Sequence, residues 1–292
     1  MTFICAEIGI NHNGSVEIAK KLIEAAKWAG ADAVKFQKRT VTTVYAGQLD
    51  QPRESPWGTT LGAQKYGLEF SRHQYDQIDS FCQNIKMPWF ASAWDEESLH
   101  FLREYDLPWH KIASAMATNI PFVRAVAKEK KPTFLSTAMC TNEDVARAAV
   151  EFRNGWAGKL TLMHCIGTYP AAEVDLNLRA MLGLRARFNL PVGYSGHEAS
   201  VSPSVMAALM GAVAIERHIT LDRSMYGSDQ AASLEPGGFK TLVDQVRKIP
   251  VVLGDGIRRI TEAELKVAKK LRYWQWSENS DETPRVAARA GR

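Results

Sequence analysis

Eight short apolar runs, each followed by a stretch with helical spacing, constrain this chain more than any other feature. The runs are FICAEI (3–8), DAVKFQ (32–37), PWFASAW (88–94), WHKIAS (109–114), PTFLST (132–137), KLTLMHCI (159–166), LPVGYS (190–195) and AVAIERHI (212–219). Runs that are apolar on both faces suit parallel strands buried on both sides. The first helical stretch, SVEIAKKLIEAAKWAG, opens on a candidate N-cap, Ser15, and closes on Gly30. TNEDVARAAVEF offers Thr141 or Asn142 as its cap. Similar patterns occupy HQYDQIDSFCQN, DEESLHFLREY, NIPFVRAVAKE, LNLRAMLGLRAR, SPSVMAALM and GGFKTLVDQVRKI. Strand then helix, eight times in about 250 residues, predicts a closed (β/α)₈ TIM barrel. A doubly wound open sheet is the alternative, and the count of eight with similar run lengths favours the barrel.

Three stretches stand outside this repeat. Residues 38–72 form a long connection after the second run, rich in Thr, Gly, Pro and Tyr, and connections of that length are usually functional or mobile. Residues 261–272 predict one extra helix, with Thr261 and Glu264 placed as a capping box. Residues 277–292 are polar and then Ala/Arg-rich, which predicts a disordered tail after a barrel domain spanning 1–276.

Composition narrows the class. Hydrophobic residues at 46% and charged residues at 23% fit a globular chain and exclude a disordered or collagen-like one. No apolar run approaches the roughly 18 residues of a membrane span. The 36 basic and 32 acidic residues leave a net +4, spread along the chain, so nucleic acid and membrane surfaces are not expected partners. Cys5, Cys82, Cys140 and Cys165 match no zinc or redox spacing and read as free thiols, mostly buried. With an N-terminus that reads as a strand and not a leader, they predict a cytoplasmic protein.

In a barrel of this kind chemistry sits where strands end and the following loops begin. Every predicted strand carries polar residues near that edge: Glu7, Asn11 and His12; Lys35 and Gln37; Ser92; Lys111 and Ser114; Ser136 and Thr137; His164 and Tyr169; Ser195 and His197; Glu216 and His218. Singly, each has a structural explanation, such as a hydroxyl meeting a carbonyl or Glu216 pairing with Arg217. Eight strands sharing the pattern point to one site. Lys35 and Lys111 with Ser114, Ser136 and Ser195 would serve a compact dianion such as a phosphate ester. No Walker-type loop is present, so a nucleoside triphosphate is not implied. His197 and His218 end adjacent predicted strands and suit a shared divalent ion, Mn²⁺, Co²⁺ or Zn²⁺. Glu7 is a candidate general base or water-positioning carboxylate. Asp229 reads as a turn residue or a polyol contact.

At these residues the chain resembles the sialic acid synthase family, from about residue 3 to 272. AEIGINHNG (6–14), AGADAVKFQ (29–37), HKIAS (110–114), LSTAM (135–139), HCIGTYP (164–170), GYSGHE (193–198), ERHIT (216–220) and GSDQAASLEP (227–236) follow in the family's order. The resemblance implies a TIM barrel that condenses phosphoenolpyruvate with N-acetylmannosamine or a related aldose. The products would be a nonulosonate, a 2-keto-3-deoxy acid, and phosphate released by C–O cleavage. It implies a divalent metal, Mn²⁺ with Mg²⁺ or Co²⁺ as alternatives, on His197 and His218. It implies phosphoenolpyruvate on Lys35, Ser92, Lys111, Ser114, Ser136 and Ser195, with Glu7, Lys35 and Lys111 catalytic. Gln37, Tyr169 and Asp229 match positions at the sugar.

The match has departures. Relatives carry a C-terminal antifreeze-like domain that covers the partner's site in a homodimer. About 20 residues follow the last helical pattern here, so that lid is expected to be absent or to come from a separate chain. Gly167 and Ala93 stand where some relatives carry an Asn to the sugar and a Thr to phosphate. A different aldose, or a non-catalytic barrel that binds a phosphorylated metabolite, are the alternatives.

Overall fold

A computed structural model describes residues 1–156 and 158–272. Eight parallel strands close into a barrel: β1 (Phe3–Gly9), β2 (Ala33–Lys38), β3 (Trp89–Ala93), β4 (His110–Ile112), β5 (Thr133–Ser136), β6 (Leu160–Cys165), β7 (Val192–Gly196) and β8 (Ala214–His218). Each pairs with its neighbour in sequence, and β1 meets β8 in register from Phe3 against Ala214 to Glu7 against His218. The open-sheet alternative is thereby excluded. All eight strands fall inside the eight apolar runs or within one residue of them.

Helices α1 (Val16–Ala29), α2 (Arg72–Asn84), α3 (Glu96–Leu102), α4 (Ile120–Lys128), α5 (Asn142–Gly155), α6 (Ala180–Phe188), α7 (Ser202–Leu209) and α8 (Pro236–Leu253) alternate with the strands. Local chemistry sets their ends. The Ser15 hydroxyl accepts from the Ile18 N–H, and Gly30 turns α1 off in the left-handed region at φ 89°. Thr141, not Asn142, caps α5, in a reciprocal box with Asp144. The apolar stripes of these helices, such as Leu22, Ile23 and Ala26 of α1, pack on the outward faces of the strands in one continuous core.

The long connection after β2 is structured. It holds a short helix, Val41–Val44, a two-stranded hairpin, Pro52–Ser55 with Gly58–Thr60, and a helix, Leu61–Leu68. The Gln64 side chain donates to the Tyr226 hydroxyl at 2.6 Å, and Trp57 meets the Tyr226 ring edge-on at 5.8 Å between centroids. The connections after β2 and β8 are therefore joined above the barrel. Gly14, in the connection after β1, lies so close to the Gly67 carbonyl that a Cβ would stand 2.1 Å from its oxygen.

The barrel unit is Met1–Ile249, and a second unit begins at Pro250. In the second, Thr261 and Glu264 form the expected capping box on a helix, Glu262–Leu271. The tail expected at 277–292 lies outside the described residues. Among the described residues all four cysteines are free, and no helix is long and apolar enough to cross a membrane.

Candidate active site

The inward positions of the strands converge on one cavity at the C-terminal end of the barrel. Its lining includes Glu7, Lys35, Gln37, Ser92, Lys111, Ser114, Ser136, Tyr169, Ser195, His197 and His218. Of the residues given a catalytic, substrate or metal role from sequence, Asp229 alone is outside the lining, and its Oδ2 stands 3.7 Å from His218 Nδ1. Four polar edge residues are accounted for structurally instead. Asn11 donates to Ile219 O at 2.9 Å and Ser233 Oγ at 2.8 Å. His12 stacks on Phe70 at 4.0 Å and accepts from the Gly14 N–H. Thr137 donates to Met163 O at 3.1 Å, and His164 Nε2 lies 2.8 Å from Leu176 O.

The floor of the cavity is a network of buried charge. Lys35 Nζ lies 2.5 Å from Glu7 Oε2 and 3.7 Å from Glu216 Oε1, and donates to Ser92 Oγ at 2.9 Å. Lys111 Nζ bonds both Glu216 oxygens at 2.7 and 2.8 Å, and Ser195 Oγ donates to Oε1 at 3.2 Å. Gln37 Nε2 fixes the other Glu7 oxygen at 2.8 Å. Burial works against the charge on Glu216, but Lys111 and then Lys35 overcome it and hold the carboxyl below the usual range. Burial likewise opposes the Lys35 cation, and Glu216 and Glu7 more than restore it, so its pKa is raised. Two cations balanced by two carboxylates make the burial affordable.

Glu216 is central to this network; from sequence it was one of the polar strand-edge residues but was given no role at the site. The suggested Glu216–Arg217 pair is not formed. Neighbours in a strand point to opposite faces, so Glu216 enters the barrel while Arg217 turns outward. Arg217 instead pairs with Glu198 at 2.8 Å, both side chains 0% exposed. The signal was available in the period of two: Glu216 and His218 share a face.

His197 and His218 stand on adjacent strand ends with ring centroids 5.7 Å apart. His197 Nδ1 lies 2.5 Å from Ile166 O, a pure acceptor, so Nδ1 carries the proton and Nε2 presents the lone pair. That Nε2 accepts from the Tyr169 hydroxyl at 2.9 Å, with the rings stacked at 4.0 Å. Burial, and then His218, push the His197 pKa down to about 3, so the imidazole is neutral at pH 7. His218 Nδ1 is buried without a hydrogen-bond partner among the described residues. The neutral His197 imidazole beside the unpartnered His218 ring nitrogen fits a divalent ion completed by water or substrate. Among the described residues no set of three or more His, Cys, Asp or Glu side chains is placed to enclose a metal.

Ser114 Oγ accepts from the Ala138 N–H at 3.0 Å and lies 3.3 Å from Cys165 Sγ. Gly167 lines the cavity without a side chain, and Ala93 is buried outside the lining. Trp94 also lines it, and nothing in the sequence had marked it.

The NeuB family model matches residues 22–258. The N-acetylneuraminate-9-phosphate synthase of Mus musculus is 37% identical over 92% of this chain and 76% of its own length. The N,N'-diacetyllegionaminic acid synthase of Legionella pneumophila is 36% identical over 92% and 78%. The crystal structure of the N-acetylneuraminic acid synthetase of Leptospira borgpetersenii superposes with a TM-score of 0.80 at 28% identity, covering 93% of this chain and 92% of that one. A barrel whose eight strand ends build one charged cavity, matched over this length by the family model and by synthases of such acids, belongs to the NeuB family.

Proposed function

We propose that this protein condenses phosphoenolpyruvate with an open-chain aldose, N-acetylmannosamine or a close relative, to give a nonulosonate and phosphate. One observation carries the reading: Lys35 and Lys111 lie among Ser92, Ser114, Ser136 and Ser195 in one cavity with His218 and the neutral His197 imidazole. The names of the relatives support it.

The residues then divide the work. Lys35 and Lys111 bind the anionic phosphoenolpyruvate, with the serine hydroxyls donating to its oxygens. To do so Lys111 divides its hydrogen bonds between the substrate and Glu216, whose carboxylate balances its charge. C3 of phosphoenolpyruvate attacks the aldehyde carbon, and positive charge develops at C2. Glu7, fixed by Gln37 and Lys35, positions the water that adds at C2 and takes its proton, which then passes to the alkoxide oxygen left by the aldehyde. Collapse of that adduct breaks the C2–O bond, and phosphate leaves from the lysines with the hydroxyl proton. A divalent ion on His197 and His218, Mn²⁺ or else Mg²⁺ or Co²⁺, supplies Lewis-acid polarisation of the aldehyde oxygen when bound. Tyr169, which bonds His197, and Asp229, 3.7 Å from His218, are the residues that would meet the sugar in this reading.

Gly167 supports a second reading, in which the aldose is diacetamido, non-acetylated or phosphorylated, since no side chain there contacts a sugar. The test is phosphate release from phosphoenolpyruvate with Mn²⁺ across N-acetylmannosamine, mannose and their 6-phosphates. Release with one aldose, lost on chelation, is expected. An ¹⁸O label in the bridging oxygen leaves with phosphate. Absence of release together with absence of phosphoenolpyruvate binding by calorimetry refutes the proposal. His218→Ala removes both Mn²⁺ binding and metal-dependent turnover; retention of either removes the metal from the assignment.

A further inference from the structure

The outer layer of the cavity holds a donor that nothing among the described residues satisfies. Trp94 follows β3 directly, and its backbone N–H donates to Lys38 O at 3.1 Å, carrying the ladder one residue further. The period of two then sets its side chain over that of Ser92, on the face lining the cavity. Gln37 stands over Lys35 in the same way on the adjoining strand. The lysines and carboxylates occupy the deeper layer, so the more highly charged substrate belongs there and the aldose belongs against Gln37 and Trp94.

The Trp94 Nε1 is buried and has no hydrogen-bond partner among the described residues. Indole nitrogen only donates, and a buried donor left unpaired is destabilising. The ring is also held in place. The Arg39 guanidinium lies 4.3 Å from its centroid, and Arg39 in turn donates to Gln37 Oε1. Resting on the condensation proposed above, we infer that Trp94 is a specificity-determining residue whose Nε1–H donates to an acceptor oxygen, hydroxyl or N-acyl carbonyl, of the aldose.

Trp94→Phe keeps a ring beneath Arg39 and removes the N–H. The expected result is a KM for the productive aldose about tenfold higher, the effect of one buried hydrogen bond, with the phosphoenolpyruvate KM within about twofold. An unchanged aldose KM, or an equal rise for phosphoenolpyruvate, overturns the assignment. A second measurement needs neither turnover nor an active variant. In protein labelled with ¹⁵N-indole, the Trp94 N–H signal is identified by its absence from Trp94→Phe. It should move when N-acetylmannosamine or its 6-phosphate is added and stay when phosphoenolpyruvate alone is added. A signal that follows phosphoenolpyruvate alone, or neither compound, overturns the assignment. Wild-type protein that binds aldose at this signal yet releases no phosphate would sink the condensation and leave the Trp94 contact standing.

Discussion

Arg217→Met would test how the two imidazole-bearing strand ends are held. Arg217 precedes His218, Glu198 follows His197, and the two side chains are fully buried against each other. Arg217 donates to Glu198 Oε1 at 2.8 Å, Ser200 O at 2.8 Å and Ser204 Oγ at 3.0 Å, and also to Glu198 O. Without the guanidinium, Glu198 keeps only the Tyr194 hydroxyl at 2.8 Å and the Ser204 hydroxyl at 3.1 Å. A buried charge stripped of its partner costs about 3–5 kcal/mol. At about 2–4 °C per kcal/mol for a domain approaching this size, Tm falls by roughly 10 °C. Adding Glu198→Gln removes the orphaned charge, keeps an acceptor oxygen for one of the two hydroxyls and offers an amide N–H to the oxygen of the other, so the double variant regains about 2 kcal/mol. Urea unfolding followed by circular dichroism gives each value. A single-variant loss below about 1 kcal/mol, or a double variant no more stable than the single one, would refute the reasoning.

Other expectations follow from the site and its surroundings. Lys111→Ala removes a charge-assisted contact and weakens phosphoenolpyruvate binding by calorimetry at least tenfold, about 1.4 kcal/mol or more, while the aldose KM stays within about twofold; equal effects on both would take Lys111 off the phosphate. Burial pushes the His12 pKa from 6.5 down to about 3, and its ring accepts from the Gly14 N–H. Between those values the unfolded chain binds more protons than the folded one, so the His12 contribution is complete above the unfolded pKa. It is lost as pH falls, at about 1.4 kcal/mol per pH unit. His12→Phe keeps the stack on Phe70 and should flatten the acid limb of stability against pH by that slope; an unchanged limb rules His12 out as a contributor.

Much of the fold was legible because periodicity and capping are local. Ser15, Gly30, Thr141 and Thr261 mark helix ends through contacts within a few residues, and the eight strands announced themselves as apolar runs. The site was legible in its inward residues for the same reason, since Lys35, Lys111 and His218 are polar exceptions within such runs. What escaped depends on partners distant in sequence. The Arg217–Glu198 pair spans two strands, and the placement of Trp94 beneath Arg39 requires β2 and β3 to be paired. Asn11, His12, Thr137 and His164 looked equally functional on paper. Only their bonds to nearby backbone and ring groups separate them from the cavity residues. The hairpin within 38–72 was hidden by its short strands, of four and three residues, whose apolar content is slight.

Closure of the ring has a consequence for how a copy of this protein comes into being. β1 is completed by β8, more than two hundred positions later, so a chain growing from its N-terminus keeps one seam of β1 unzipped for most of its synthesis. That seam offers N–H and C=O groups to any strand that arrives first, and pairing so remote in sequence forms slowly. Glu216 rides on the same final strand, so Lys111 waits for its counter-charge until the ring shuts. A copy truncated before Ala214 would carry an open seam and an unmatched lysine together, and a neighbouring copy is the readiest source of a strand to fill the gap.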